Sequence, residues 1–442
     1  MKNNIDKICT SLFLEDHPVL DEAPPFRELY LSALQYFVNL YSNDGFAQAI
    51  YHCYEKAFRC NKQENTGHEV ATYSAEEIKP IIGSITKTKF KKFRIFSYRY
   101  VFTADCLFLC AFHNQADASL VLKTVKALLS PRYHRRLDVL YEALFNAAPL
   151  ERGMGLVESI VEKWRVNEDF LSQTPERILI TATMSAGKST IINAIIGETL
   201  ARTAQEACTG DLQFYYNKPF DDQCISGCAI ETIYDIDPVT LSKNDCNVDT
   251  IAAYFHTITP TKKRVCFIDS PGVNSALNRS HKRVTRKAVK EANYDRLVYI
   301  FHAAGGLGRE EEAMYLKYIA EIVPKEKTIF VVNKLDDFRK SEDSIESSIN
   351  GVRADLEKLG YENPRICPLS AYFGLLIKKK MLDIELDEEE QEEFERYTRK
   401  FSKPEYDLSS YYAAPEKPIN DALTSMSIRC GLYGLERIIM GG

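Results

Sequence analysis

Arg177-Ile-Leu-Ile-Thr-Ala-Thr-Met-Ser-Ala-Gly-Lys-Ser-Thr-Ile-Ile-Asn-Ala-Ile-Ile-Gly197 decides the fold. A strand-length apolar run, Ile178–Ala182, enters a short polar loop, and a helix-length apolar pattern leaves it. The segment Ala182-Thr-Met-Ser-Ala-Gly-Lys-Ser189 matches the phosphate-loop pattern, with Ala182 in place of its first glycine. Such a loop turns successive backbone N–H groups toward phosphate oxygens, and the helix N-terminus adds positive potential. Gly187 lets the backbone approach closely. Lys188 brings a point charge to the β- and γ-phosphates, and Ser189 offers a hydroxyl to Mg2+. Ser185, Ala186 and Thr190 complete the expected phosphate-facing set. A chance strand–turn–helix match competes with this reading as long as the stretch stands alone.

It does not stand alone. Val265-Cys-Phe-Ile-Asp269-Ser-Pro-Gly272 is an apolar strand ending in an acid, followed by DxxG spacing. Asp269 is placed to hold Mg2+ through water, and the Gly272 N–H to bond the γ-phosphate. Thr328-Ile-Phe-Val-Val-Asn333-Lys334-Leu-Asp336 is a second apolar strand with NKxD at its end. The Asp336 carboxylate can accept from the N1–H and exocyclic amine of guanine, a donor pair that adenine lacks. A site built on such bonds discriminates by roughly 10⁴–10⁵. Asn333 is expected to brace the base and the loop, and the Lys334 stem to cover one ring face. After the next apolar run come Ser370 and Ala371, whose N–H groups are candidates for the guanine O6. These motifs follow one another in fixed order, each after an apolar strand, at the end where open parallel sheets bind ligands. Together they favour GTP and GDP over ATP.

The interval between phosphate loop and DxxG must supply a threonine whose hydroxyl and carbonyl reach Mg2+ and the attacking water. Thr209, in Gln205-Glu-Ala-Cys-Thr209-Gly210, is the candidate, and Thr203 is its competitor.

Around these motifs the apolar runs Ile178–Ala182, Val265–Ile268, Leu297–Phe301, Ile329–Val332 and Ile366–Leu369 are separated by helix-length segments. That alternation predicts an α/β domain with a mainly parallel sheet covered on both faces, over residues 173–380. Residues 1–172 read as a mainly helical N-terminal domain, with helical spacing over 26–60, 117–146 and 150–172. The less regular stretch 78–100 is a place for a strand. Residues 381–442 read as an acidic segment, Asp383 to Glu395, followed by a helix over 419–440.

The chain has 442 residues and a net charge of −6, so composition gives no electrostatic case for nucleic acid. No apolar run is long enough to cross a bilayer, and the N-terminal twenty residues show no secretory pattern. The 12 cysteines are scattered without CxxC spacing. Buried thiols in a reducing, cytoplasmic setting are the expectation, with membrane association as an addition to it.

The phosphate loop with its first helix, Met184 to Gly197, resembles that of the dynamin superfamily of large GTPases, bacterial dynamin-like proteins above all. Glu206-Ala-Cys-Thr209 is similar to their first switch and Asp269-Ser-Pro-Gly-Val-Asn274 to their second. The resemblance covers about 173–380, with an echo in Gly431-Leu-Tyr-Gly-Leu-Glu-Arg-Ile-Ile439. It implies a P-loop GTPase domain flanked by helical N-terminal and short helical C-terminal segments. It implies Mg2+-dependent hydrolysis of GTP to GDP and phosphate, with Lys188, Ser185 and Thr209 as catalytic residues. Ser185 would hold a monovalent cation, K+ or Na+, against the phosphates. Two GTPase heads would dimerise across the nucleotide, and helices 150–172 and 419–440 would pack together to transmit that event. Met184 stands where eukaryotic members carry a water-positioning glutamine. A GTP-gated module with little turnover is therefore one alternative, and a membrane-remodelling protein, suggested by the basic and aromatic segment 87–100, is another.

Lys87-Thr-Lys-Phe-Lys-Lys-Phe-Arg-Ile-Phe-Ser-Tyr-Arg-Tyr100 carries six basic residues and several aromatics without an acid. A solvated face with its aromatics in the core is preferred here over a patch for anionic lipid or nucleic acid. The acidic stretch reads as an exposed helix face.

Overall fold

The structure is a computed structural model that describes residues 2–41, 45–59, 73–91, 94–182, 186–201, 212–229, 232–242, 248–271, 279–303, 310–338 and 344–441. Among them, no helix is long and apolar enough to cross a membrane. The chain divides into two compact units, residues 1–172 with 219–236, and residues 173–218 with 237–442.

The first unit is helical. Helices α1 (Pro24–Tyr41), α2 (Phe46–Phe58), α3 (Arg99–Ala111), α4 (Gln115–Leu128), α5 (His134–Phe145) and α6 (Glu158–Ser172) carry its core. Every residue of α3 is buried, and α1, α2, α4, α5 and α6 pack around it. The apolar pattern over 26–60 predicts one helix but is divided between α1 and α2. Gly45, at φ +75°, supplies the left-handed start of α2. Within 78–100 lies an antiparallel pair, Lys89–Lys91 with Arg94–Phe96, in which Phe90 faces Ile95 across the strands. Those two side chains are 70% and 76% exposed. The expectation that the aromatics of this stretch sit in the core therefore holds for Tyr98 and Tyr100 but not for Phe90.

The stretch 219–236 belongs to this unit although its neighbours in sequence do not. The Leu12 N–H donates to Asp222 at 2.8 Å, the Ser11 hydroxyl donates to the Phe220 carbonyl at 2.7 Å, and Cys224 and Tyr234 join the helical core.

In the second unit a sheet is built from β1 (Glu176–Ala182), β2 (Gln213–Asn217), β3 (Thr250–Ala253), β4 (Val265–Asp269), β5 (Arg296–His302), β6 (Thr328–Asn333) and β7 (Ile366–Pro368). These strands run in the order β7-β6-β5-β1-β4-β2-β3. All neighbours are parallel except β2 and β4. The near-continuous apolar runs of β1, β4, β5 and β6 follow from burial on both faces. Strands β2 and β3 are short additions that the apolar runs did not signal. They are parallel, so a long crossover must join them, and residues 218–249 provide it.

Helices α7 (Lys188–Ile196), α8 (Ala371–Met381), α9 (Glu388–Phe401), α10 (Ala422–Arg429) and α11 (Leu432–Glu436) complete the parts that concern the site. Helix α8 packs on α7, α9 and α10, and α11 packs on α7. The acidic stretch forms α9, with Glu388, Glu389, Glu392 and Glu395 exposed. The pattern over 419–440 predicts one helix, but Gly431 at φ +87° breaks it between α10 and α11. A Cβ there would lie 2.3 Å from the Pro368 carbonyl oxygen. Within the second unit this segment packs on α7, α8 and α9. Leu432, Leu435 and Ile439 are buried, and the Glu436 carboxylate meets the Lys378 ammonium at 2.7 Å with both side chains almost fully enclosed. The Arg296 guanidinium donates to the carbonyls of Ile438 and Ile439 at 2.8 and 2.6 Å, which satisfies the end of the chain's last helical turn.

Candidate nucleotide site

The site lies at the C-terminal ends of the parallel strands. Strand β1 delivers the chain into the phosphate loop, and Gly187 caps α7 at φ +86°. A Cβ there would also stand 2.4 Å from the Asn333 Nδ2, so a larger residue would have to displace that amide. Lys188, Ser189 and Thr190 form the first turn of α7 and are partly exposed. The Lys188 ammonium pairs with the Asp269 carboxylate. Asp269 ends β4 directly beside Ile180 of β1, which puts the acid next to the loop that β1 feeds. Burial raises the Asp269 carboxyl above its usual range, and the Lys188 charge opposes that shift. Thr183, Met184, Ser185, Thr203, Thr209 and Gly272 lie outside the described residues, and with them the expected cation serine, the switch threonine and the γ-phosphate glycine.

On the other side, β6 ends at Asn333. Its amide Nδ2 donates to the Ala186 carbonyl at 2.9 Å, and its Oδ1 accepts from the Ala371 N–H at 3.0 Å. One buried side chain thus ties the phosphate loop to the start of α8, the bracing role its position in NKxD suggests. Lys334 adopts the left-handed conformation at φ +66°, which turns the chain sharply after β6 into a single 3₁₀ turn, Leu335–Asp337. Asp336 follows, and its Oδ1 accepts from the Ser370 hydroxyl at 2.6 Å. Burial raises the Asp336 carboxyl, while the Ser370 hydroxyl and the Lys400 charge favour its ionised form.

Ser370 and Ala371 are beside Asp336 and Asn333, as the motif order suggests. Their N–H groups, however, are engaged within the chain. Ser370 N–H donates to the Cys430 carbonyl at 3.0 Å and Ala371 N–H to Asn333. The structure gives both a bracing role, which differs from the expected open donors for O6. The sequence reading also missed Lys400. Its ammonium donates to the Asp336 carbonyl at 2.6 Å and to the Phe338 carbonyl. No motif marks it, because a lysine on an acidic helix reads as a solvated charge.

The donor set suits Mg2+. A serine hydroxyl on the first turn of α7 and one mostly enclosed carboxylate are hard oxygen ligands, and Mg2+ usually takes only one or two protein ligands beside phosphate oxygens and water.

Residues 177–334 match the family described as 50S ribosome-binding GTPase. A probable chloroplastic transmembrane GTPase, FZO-like, of Arabidopsis thaliana is 28% identical over 239 residues, which are 54% of this chain and 23% of that protein. The chain thus spans about a quarter of the length of the curated relative it matches. An oligomerised bacterial dynamin pair that senses and tethers membranes aligns over 90% of this chain and 62% of its own, at 14% identity and a TM-score of 0.36. The Era GTPase of Aquifex aeolicus with GDP and AlF4− aligns over 48% of this chain and 56% of its own, at 16% identity and a TM-score of 0.30.

Proposed function

We propose that this chain is a GTPase of the dynamin superfamily that binds GTP with Mg2+ and hydrolyses it to GDP and phosphate. The observation that carries the reading is the Asn333 amide, which joins the phosphate loop and the Ser370–Ala371 loop in one hydrogen-bonded unit. A nucleotide that fills both ends finds them already set at a fixed spacing. Phosphate contacts come from the loop N–H groups, Lys188 and Thr190, with Mg2+ on Ser189, Asp269 and Thr209. Base selection comes from Asp336, with Lys334 over the ring. Lys188 exchanges Asp269 for phosphate oxygens when the nucleotide arrives, which frees the carboxylate for the metal side.

Hydrolysis in this reading is positioning and charge stabilisation. Ser185 would hold K+ or Na+ against the phosphates, Thr209 would orient the water, and dimerisation of two GTPase heads would complete the site. The defining experiment is phosphate release against protein concentration with GTP and ATP in potassium and in a non-coordinating cation. Specific activity that rises with concentration supports the full reading. Tight GTP binding without turnover at any concentration replaces it by a GTP-gated binding module. A folded Lys188→Ala variant that keeps normal GTP affinity rejects the site assignment.

A peripheral membrane contact is the second reading, and Phe90 and Ile95 favour it. They form one exposed apolar pair in a segment of basic residues without an acid. Co-sedimentation with anionic vesicles that survives Phe90→Ser with Ile95→Ser removes it. The composition gives no reason to add a nucleic-acid partner, and a cytoplasmic location remains the expectation.

A further inference from the structure

Guanine reading demands more than an aspartate at the right place in sequence. Both carboxylate oxygens must meet two donors in one plane, and hydrogen bonds weaken steeply when that alignment fails. The side chain of Asp336 is held at one oxygen by Ser370. Its main chain sits in one short turn, in which the Asp337 N–H donates to the Lys334 carbonyl at 3.1 Å. The Leu335 N–H reaches the Leu369 carbonyl only at 3.4 Å. The ammonium of Lys400 closes the other side of this turn through the carbonyls of Asp336 and Phe338, with the Tyr406 ring 4.6 Å from it.

Lys400 is itself well seated. It lies in the last turn of α9, whose Phe401 stacks on Phe373 of α8 at 5.4 Å, while Tyr397 meets Tyr372 edge-on at 6.3 Å. Lys379 of α8 pairs with Glu390 at the start of α9. Helix α8 begins at the Ala371 that Asn333 braces. The lysine therefore acts from a platform packed on the element that carries the second base loop.

We propose that Lys400 is a positioning residue for guanine discrimination, fixing the Asp336 main chain so that its carboxylate meets the base in register. This rests on the guanine-nucleotide reading above. It makes α9, which follows the nucleotide motifs in sequence, part of the base-recognition apparatus. A lysine that only anchored α9 would serve stability alone, and the two roles differ in what they do to closely related nucleotides.

The test uses the full chain, with GTP and ITP affinities measured by displacement of fluorescent GDP and with a thermal melt as fold control. ITP lacks the exocyclic amine and keeps the triphosphate. In Lys400→Met, GTP affinity is expected to fall about tenfold or more while ITP affinity falls much less, so the GTP-to-ITP ratio drops by about tenfold. Lys400→Arg, which can reach the same carbonyls, is expected to restore most of the ratio. In an Asp336→Ala background, Lys400→Met is expected to leave the ratio unchanged. Lys400→Gln, which keeps one donor, serves if the methionine variant fails to fold, and its ratio is expected between those of wild type and Asp336→Ala. An unchanged ratio in a folded Met or Gln variant overturns the proposal, as does equal loss for both nucleotides. A wild-type chain without preference for GTP over ITP would instead defeat the guanine reading itself.

Discussion

Gly187→Ala isolates the coupling between the two ends of the nucleotide site. Two costs add at this position. The backbone is at φ +86°, where a residue with a Cβ is disfavoured by about 1–2 kcal/mol. The new Cβ would also stand 2.4 Å from the Asn333 Nδ2, inside contact distance, so the amide must move. Its movement endangers the bonds to the Ala186 carbonyl and the Ala371 N–H, worth about 1 kcal/mol each. The sum is about 2–4 kcal/mol against the arranged site, or about 30- to 1,000-fold in GTP affinity. The assay is titration of a fluorescent GTP analogue, with a cooperative thermal melt to show that the chain still folds. The double variant with Asn333→Ala sharpens it. Removing the amide removes the clash, so Gly187→Ala should cost only its backbone share there, leaving a coupling of about 1–2 kcal/mol. If Gly187→Ala binds GTP within threefold of wild type, or if the two substitutions add without coupling, the account of Asn333 as the tie between the loops is wrong.

Three further outcomes are expected. Protonating Asp336 removes its ability to accept both guanine donors, and burial raises that carboxyl above the ordinary aspartate range. The GTP-to-ITP affinity ratio, in which phosphate ionisation cancels, should therefore decline on acidification before an ordinary aspartate, near pH 4, would titrate; a ratio flat down to that pH contradicts this. Glu436→Ala leaves the buried Lys378 ammonium without its carboxylate, at an expected cost of about 3–5 kcal/mol in denaturant unfolding, and a loss under 1 kcal/mol would show that the pair is open to water. In the helical unit, the Asp105 carboxyl accepts from the Tyr30 and Tyr54 hydroxyls at 2.6 and 3.0 Å and faces the His17 Nε2 at 3.1 Å. Asp105→Ala strands buried donors at about 1–3 kcal/mol each, so unfolding of that unit should lose at least about 3 kcal/mol, and near-neutral behaviour would refute the network's weight.

The parts of this architecture legible in sequence are those where one residue type is physically required. Gly187 needs a left-handed backbone, Lys188 a charge at a helix start, and Asp336 an acid in the turn that follows a strand. Strands β1, β4, β5 and β6 were legible because burial on both faces leaves only apolar residues. Strands β2 and β3 were not, because their Gln213-Phe-Tyr-Tyr-Asn217 and Thr250-Ile-Ala-Ala253 are too short and mixed to show a period. Breaks within helical stretches were missed where apolar spacing continued through Gly45 and Gly431. Lys400 and the Cys430 carbonyl were beyond reach. The first is a long-range contact to backbone and the second a backbone group, and neither requires a recognisable neighbour in sequence.

The excursion of residues 219–236 bears on how this chain is made and cut. A ribosome that has released only the first 172 residues has not yet supplied Cys224 and Tyr234, which complete the helical core. The helical half is therefore complete only once chain that emerges after the phosphate loop has joined it. A fragment ended at residue 172 would leave Phe46 without the Tyr234 ring that meets it edge-on at 5.9 Å, and Leu12 without its Asp222 acceptor. Anyone separating the halves needs three cuts and a graft.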